Sequence, residues 1–404
     1  MAMVITDTLF LLGIILKKSK SIYTIEFIWM WILLGFCNNM DRPDIMNYQA
    51  AYNKIGTYGI SLNNSEMGYR ILNRILYILG LDFQQAVAVM MFLILALIAV
   101  SIPRYTKSIA MVSSLFMVYP LFMSGIQIRN SIAMAIIVFA IRYLINDKKY
   151  SLIKYCACVI LAMTFHSTAL IYFSLILVRF IKKEHIKYLA IIMALIISFL
   201  SRVDISALRS IFGEGRYEDK FFSHTNTVQQ FMVAMAWQLT ATILIMVLHK
   251  KIKEIQEYAE CNKQLNIVNE IIVKINIVLI VILPLYYIDF STERMYRNII
   301  ILNYVYIANS IEIVKEKKEI NIIFCYMAMG IWYLLTCVFF EGIYANNWDT
   351  YVSGYLMEND MILHWKNHIL FWLFLIEIVV SQPILEKKKV HFVLSKKRKK
   401  LLRE

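Results

Sequence analysis

Apolar residues run through this chain in long blocks rather than in strict alternation with polar ones. Blocks of that kind predict helices, and blocks near 20 residues predict helices that cross a membrane, where each backbone group must find its partner within its own segment. They lie near residues 2–16, 22–38, 83–102, 108–123, 127–145, 150–165, 167–181, 187–201, 230–249, 267–288, 295–313, 320–340 and 363–382. The stretch from Ser151 to Ile181 is almost unbroken. As one straight helix it would be about 46 Å long, too long for a single upright span. Two short spans with a turn at Thr164-Phe165-His166-Ser167 are expected instead. The pattern predicts an all-α, polytopic membrane protein of about 13 helices (roughly 12–14). It places one transmembrane domain over residues 1–382, with polar outer segments near 41–82, 202–229 and 341–362, and a basic cytoplasmic tail at 383–404.

Composition supports a lipid solvent. The chain is 60% hydrophobic and 17% charged, whereas soluble domains carry about 25% charged residues. A net charge of +14 would raise nucleic acid as a partner in a soluble protein. Here the cations sit between apolar blocks, in Lys17-Lys18-Ser19-Lys20, Lys148-Lys149, Lys182-Lys183, Lys250-Lys251, Lys315-Glu316-Lys317-Lys318 and Lys396-Lys397-Arg398-Lys399-Lys400. The positive-inside rule accounts for them and sets the amino terminus outside and the tail inside. None of the six cysteines forms a CxxC pair, so neither a metal site nor a disulfide framework is expected, and no cofactor is implied.

The two faces differ in kind of cation. Lysine dominates the inner loops. The outer segments carry Arg42, Arg70, Arg74, Arg129, Arg202, Arg209, Arg216, Arg294 and Arg297, with only Lys54 and Lys220 beside them. Arginine suits planar, bidentate recognition of phosphate or carboxylate, so an external anion site is expected. The competing reading is that outer acids neutralise these arginines one by one.

Within the outer segments, Asp44, Tyr48 and Tyr52 recur every four residues and share one helix face. Asp41 is placed to cap that helix and Pro43 to open it. An acidic–aromatic face grips sugars; a surface helix with a capping acid is the plainer alternative. Ser65 is placed to cap an amphipathic interfacial stretch over 66–80, in which Glu66–Arg70 and Arg70–Arg74 are i,i+4 pairs. Arg129 opens the span after Ser124-Gly125-Ile126-Gln127-Ile128, at a helix start where the dipole gives a cation nothing and membrane depth makes it costly. His166 is open to three roles: general base, hydrogen-bond donor to phosphate, or turn residue bonding the backbone. Arg294 and Arg297 are i,i+3 neighbours able to form one fork-like cluster, unless Asp289 or Glu293 neutralises them.

These segments, taken in order, are Asp44-x-x-x-Tyr48 with Tyr52; Glu66-x-Gly68-Tyr69; Ser124-Gly125-Ile126-x-x-Arg129-x-x-x-Ala133; Phe165-His166-Ser167-x-Ala169; and Glu293-Arg294. Together they resemble the EpsG-like branch of the Wzy-type polysaccharide polymerases. The resemblance spans roughly residues 40–310. Met67 stands where the family often has a small residue or proline. The resemblance implies a GT-C-like membrane transferase in the bacterial cytoplasmic membrane, working at its outer face. It implies an undecaprenyl-diphosphate-linked glycan as substrate and O-antigen, capsule or exopolysaccharide as product. Membrane lipids, a flippase and a chain-length-regulating co-polymerase are the implied partners. On that footing Asp44, Glu66 and His166 are the candidate bases, in that order, and Tyr48, Arg70, Arg129, Arg294 and Arg297 the candidate substrate-binding residues, with no metal. A glycolipid flippase, for which Lys274 is the clearest deep cation, and another polyprenyl-linked glycan transferase or ligase are the alternatives.

Overall fold

A computed structural model describes residues 2–37, 44–60, 66–146, 148–180, 182–203, 228–256, 263–288, 290–316, 320–340 and 355. All regular structure among them is helical. In chain order the helices are α1 (Ala2–Ile15), α2 (Lys20–Gly35), α3 (Ile45–Tyr58), α4 (Met67–Ile78), α5 (Phe83–Ser101), α6 (Ile109–Val118), α7 (Leu121–Ile126), α8 (Ile128–Ile145) and α9 (Ser151–Phe165). After a 3-10 helix at Ser167–Ile176 come α10 (Leu177–Phe180), α11 (Lys183–Val203), α12 (Val228–Gln256) and α13 (Lys263–Val278). The short α14 (Leu285–Ile288) and α15 (Arg294–Arg297) lead to α16 (Ile300–Glu316) and α17 (Ile320–Val338). Four stretches, Phe83–Arg104, Ile128–Ile145, Val228–Glu254 and Leu265–Ile282, are long and apolar enough to cross a membrane, and six further apolar helices are shorter. The expected span at 363–382, the tail, most of the 202–229 loop and all of the 341–362 segment except Tyr355 lie outside the described residues.

Local chemistry sets the boundaries. Ser19 opens α2 by accepting from the Ile22 N–H at 3.2 Å. Asp82 and Gln85 form a reciprocal capping box at the start of α5, with bonds of 2.8 and 3.0 Å, so two otherwise orphaned donors are met. Pro120, with no N–H to continue α6, separates it from α7. The apolar run from Ser151 breaks where expected. Helix α9 ends at Phe165 and His166 is extended. The second arm is wound as 3-10 helix rather than α-helix for its first ten residues, and the Tyr155 hydroxyl donates to Tyr172 O at 2.7 Å to join the arms.

Helix α8 is the centre of the bundle, buried on nearly every side and packed against α5 and α9. Peripheral helices are apolar on both faces. In α9, Tyr155, Val159 and Ala162 point inward while Ile153, Ile160 and Leu161 are exposed, as a lipid-facing helix requires. Polar side chains inside the bundle bond one another. Asn303 accepts from Asn276 at 2.8 Å and donates to the Tyr296 and Tyr333 hydroxyls at 3.0 and 2.9 Å, while Tyr296 donates to Asn276 at 2.7 Å. Glu26, absent from the sequence-based expectations, is fully buried between α1, α2 and α6 and accepts from Ser113 and Ser114. At one end of the bundle, Lys17 and Lys18 both pair with Glu312 of α16.

Asn303→Ala removes one hydrogen bond each from Asn276, Tyr296 and Tyr333. It is expected to cost about 1–3 kcal/mol, read as a lower melting temperature of the purified protein in detergent. An unchanged melting temperature would mean the network contributes no stability.

Candidate functional site

The end of the bundle opposite the Lys17–Glu312 contact carries the site. Five segments meet there: α3, α4, the start of α8, the turn at His166 and the 290–297 segment. Helices α3 and α4 are short, pack on each other, and sit against α5 and the end of α9. Each begins at an acid in the left-handed region, Asp44 at φ 63° and Glu66 at φ 66°, and neither acid caps its helix with its side chain. Asp41, Pro43 and Ser65 lie outside the described residues. With its carboxylate not engaged as a cap, Glu66 turns to Arg129 at the start of α8 and forms an ion pair with it.

Arg129 is only partly exposed, and its guanidinium lies 5.5 Å from the centre of the Tyr48 ring, an attraction of its own in a desolvated place. Tyr48 in turn meets Tyr69 edge to face at 5.9 Å. Burial holds the Tyr48 phenol above its ordinary pKa. The expected face Asp44–Tyr48–Tyr52 is thus divided: both tyrosines are buried, and Tyr52 donates to Leu81 O at 2.7 Å, whereas Asp44 stands exposed at the rim. Among the described residues no cation pairs with Asp44.

Gly68 explains its place in the glutamate motif. A methyl group there would run into Thr164 Oγ1 and lie 2.9 Å from Thr164 Cβ, so glycine lets α4 close on the end of α9, next to His166. His166 is 5% exposed. Its Nδ1 accepts from the Thr168 N–H at 3.3 Å and lies 2.7 Å from the Thr168 hydroxyl. A ring nitrogen that accepts carries no proton, so Nε2 bears the hydrogen. Burial first, then the charges of Arg294 and Arg129, hold the ring neutral by lowering its pKa from 6.5 to about 3.

Arg294 and Arg297 do not form one fork. Arg297 is 3% exposed, pairs with Glu293 at 2.9 Å and donates to Gln127 at 2.6 Å. Arg294 donates through Nε to Ser291 O at 2.6 Å, and among the described residues no carboxylate pairs with it. Arg297 is buried in the bundle, whereas the charge of Arg294 is felt at His166. Arg70, half-buried on α4, follows Glu66 by one turn. Asp289 lies outside the described residues.

The EpsG family model matches residues 20–357. The chain belongs to the EpsG family. No curated protein and no solved structure matches it. Membership in the EpsG family implies a polysaccharide polymerase of the glycosyltransferase type, and the apolar helices fit a multi-pass membrane protein. Among the described residues no cluster of His, Cys, Asp and Glu has the geometry to hold a metal.

Sequence reasoning missed three residues of the EpsG site end, Gln127, Asn130 and Asn298. Asn130 and Asn298 exchange two amide hydrogen bonds of 3.0 and 2.9 Å. The signal was present in the Gln-x-x-Asn spacing around Arg129, but nothing local names a partner 168 positions away.

Two outcomes are expected. Gly68→Ala should destabilise the protein by about 1–3 kcal/mol through overpacking, and Thr164→Ala should restore part of the loss; equal melting temperatures for the wild type and Gly68→Ala would refute the close-contact argument. For His166, the folded pKa lies below the unfolded one, so the stabilisation is full above 6.5 and is lost as pH falls towards 3. Moving from pH 8 to pH 5 should cost about 2 kcal/mol at this site, and His166→Gln should remove that part of the pH dependence of thermal unfolding.

Proposed function

We propose that this protein joins undecaprenyl-diphosphate-linked oligosaccharide repeat units into O-antigen, capsule or exopolysaccharide at the outer face of the bacterial cytoplasmic membrane, within a GT-C-like arrangement of about 13 spans. The observation that carries the reading is the gathering of Arg129, Arg294, neutral His166 and the Tyr48 ring at one end of the bundle, from segments as far apart as α3 and α15. The glycan's bond to its diphosphate breaks, and a hydroxyl of the incoming lipid-linked unit forms the new glycosidic bond. Negative charge grows on the departing diphosphate, and donors fixed in a water-poor site are the groups that stabilise it. Arg294, with which no acid pairs among the described residues, is the first of these. Arg129 shares its charge with Glu66 and comes second, and Arg70 stands behind them. His166 Nε2–H is a further neutral donor; a ring so weakly basic is a poor proton acceptor near pH 7. The acceptor's proton goes to Asp44, exposed at the rim, with Glu66 the second choice because Arg129 already holds it. Arg297, neutralised by Glu293, positions Gln127 rather than gripping phosphate. No step calls on a metal or a cofactor.

The flippase alternative loses its main support, since Lys274 pairs with Glu270 at 3.3 Å on the same helix.

Arg294→Ala should reduce long glycan to a single repeat on its final carrier, with the protein still in the membrane, at a rate loss on the order of 10²–10³. Arg294→Lys should recover only part, because a point charge cannot replace a planar fork. His166→Gln should keep most of the activity that His166→Ala loses. Normal glycan length in both Arg294→Ala and Arg129→Ala would end the reading.

A further inference from the structure

Helix α4 runs across the site end of the bundle rather than through it. Its first turn meets the end of α9, where Gly68 lies against Thr164. Its last turn leads through Leu81 to Asp82, the cap of α5. The start of α5 lies at the same end, because Gln84 donates at 2.6 Å to Gly35 O, at the end of α2, whose first turn follows Lys18. At about 18 Å long, α4 is too short to cross a bilayer. Two side chains fix it to α3. Tyr52 donates to Leu81 O at 2.7 Å, and Arg74 donates to Gly56 O and, at 3.4 Å, to Ile55 O. Tyr69, Asn73 and Leu76 form the buried side of α4. The opposite side is apolar too. Ile71, Ile75, Ile78 and Leu79 are 44–68% exposed and follow the i, i+4, i+7, i+8 spacing of one helix face. A ridge of four aliphatic side chains is a poor surface for water and suits the acyl boundary of a membrane.

We infer that this ridge seats the polyprenyl chain of the lipid-linked substrate, so that the substrate reaches the site sideways from the bilayer along α4. The inference rests on the proposed reading that the protein handles lipid-diphosphate glycans, and it adds the path and seat of the lipid. Continuity with the site argues for this occupant. The ridge begins just over one turn after Glu66, which pairs with Arg129. Gly68, in that same turn, lies against Thr164, two residues before His166. A diphosphate held by the arginines there has its chain leaving from the place where the ridge starts. Charge follows the order of such an amphiphile as well. Arg129 and Arg70 stand at the head of α4, Arg74 is turned to α3, and from Ile75 to Leu81 the chain carries no charge. A cationic head and an apolar body match a diphosphate and its isoprenoid tail.

The test uses the full chain in nanodiscs holding a trace of undecaprenyl diphosphate. A photoreactive benzophenone side chain replaces either Ile75 or Leu195, the latter exposed on α11, which packs against α13. Labelling of the polyprenyl lipid from the Ile75 position should exceed that from the Leu195 position about tenfold, and should saturate as the lipid is raised. Ile71→Ser combined with Ile78→Ser should weaken binding of undecaprenyl diphosphate about tenfold and leave binding of inorganic diphosphate unchanged. The melting temperature shows whether that double variant folds; if it does not, the labelling comparison decides alone. Equal labelling from the two positions means that ordinary membrane lipid covers the ridge, and crosslinking to a second copy of the chain means that a protein does. Either result overturns the inference, as does unchanged lipid affinity in the folded double variant. The anion grip is judged separately: Arg294→Ala binding inorganic diphosphate as tightly as wild type overturns that reading, while the labelling ratio still decides the ridge.

Discussion

The Glu66–Arg129 ion pair holds the site end together. It ties α4, and α3 packed upon it, to the central helix α8. The Glu66 carboxylate is largely withdrawn from water and Arg129 partly so, which is expensive, and the pairing, with the face of Tyr48 against Arg129, offsets that cost. Removing either partner would take from the other its charge partner, the costlier of the two ways to alter such a pair. Gly68 then sets the depth at which α4 can seat, and His166 inherits its surroundings from that seating.

Neutralisation is uneven across the site, and that unevenness separates the roles. Arg297 is matched to Glu293 and Arg129 to Glu66, whereas among the described residues no carboxylate pairs with Arg294, which donates to Ser291 O. For Arg129 and Arg297 the reading that acids neutralise the outer arginines one by one describes the structure. A guanidinium held in place without an acid retains its full attraction for an arriving anion, and the proposed chemistry assigns the diphosphate to it.

The bundle was legible in the sequence because lipid leaves so few options. Every long apolar block that falls within the described residues is helical, and the break at His166 followed from length alone. The 3-10 winding of its second arm was not legible, since it keeps the same apolar content as an α-helix. In the site, the helix face through Tyr48 and Tyr52 could be read from a spacing of four. The partner of Glu66 could not, because it lies 63 positions away and an i,i+4 neighbour, Arg70, offered a local answer. The neighbours Arg294 and Arg297 were expected to act together for the same reason, and tertiary contacts parted them. Glu26 passed unnoticed as one acid in an apolar run; what makes it bearable is a pair of serines on α6.

The clamp of Lys17 and Lys18 on Glu312 joins residues nearly 300 positions apart. A ribosome must therefore make three-quarters of this chain before the first helical hairpin meets its last electrostatic partner. Glu312 at one end of the bundle and Arg294 at the other are therefore both supplied late in synthesis, by neighbouring stretches of chain.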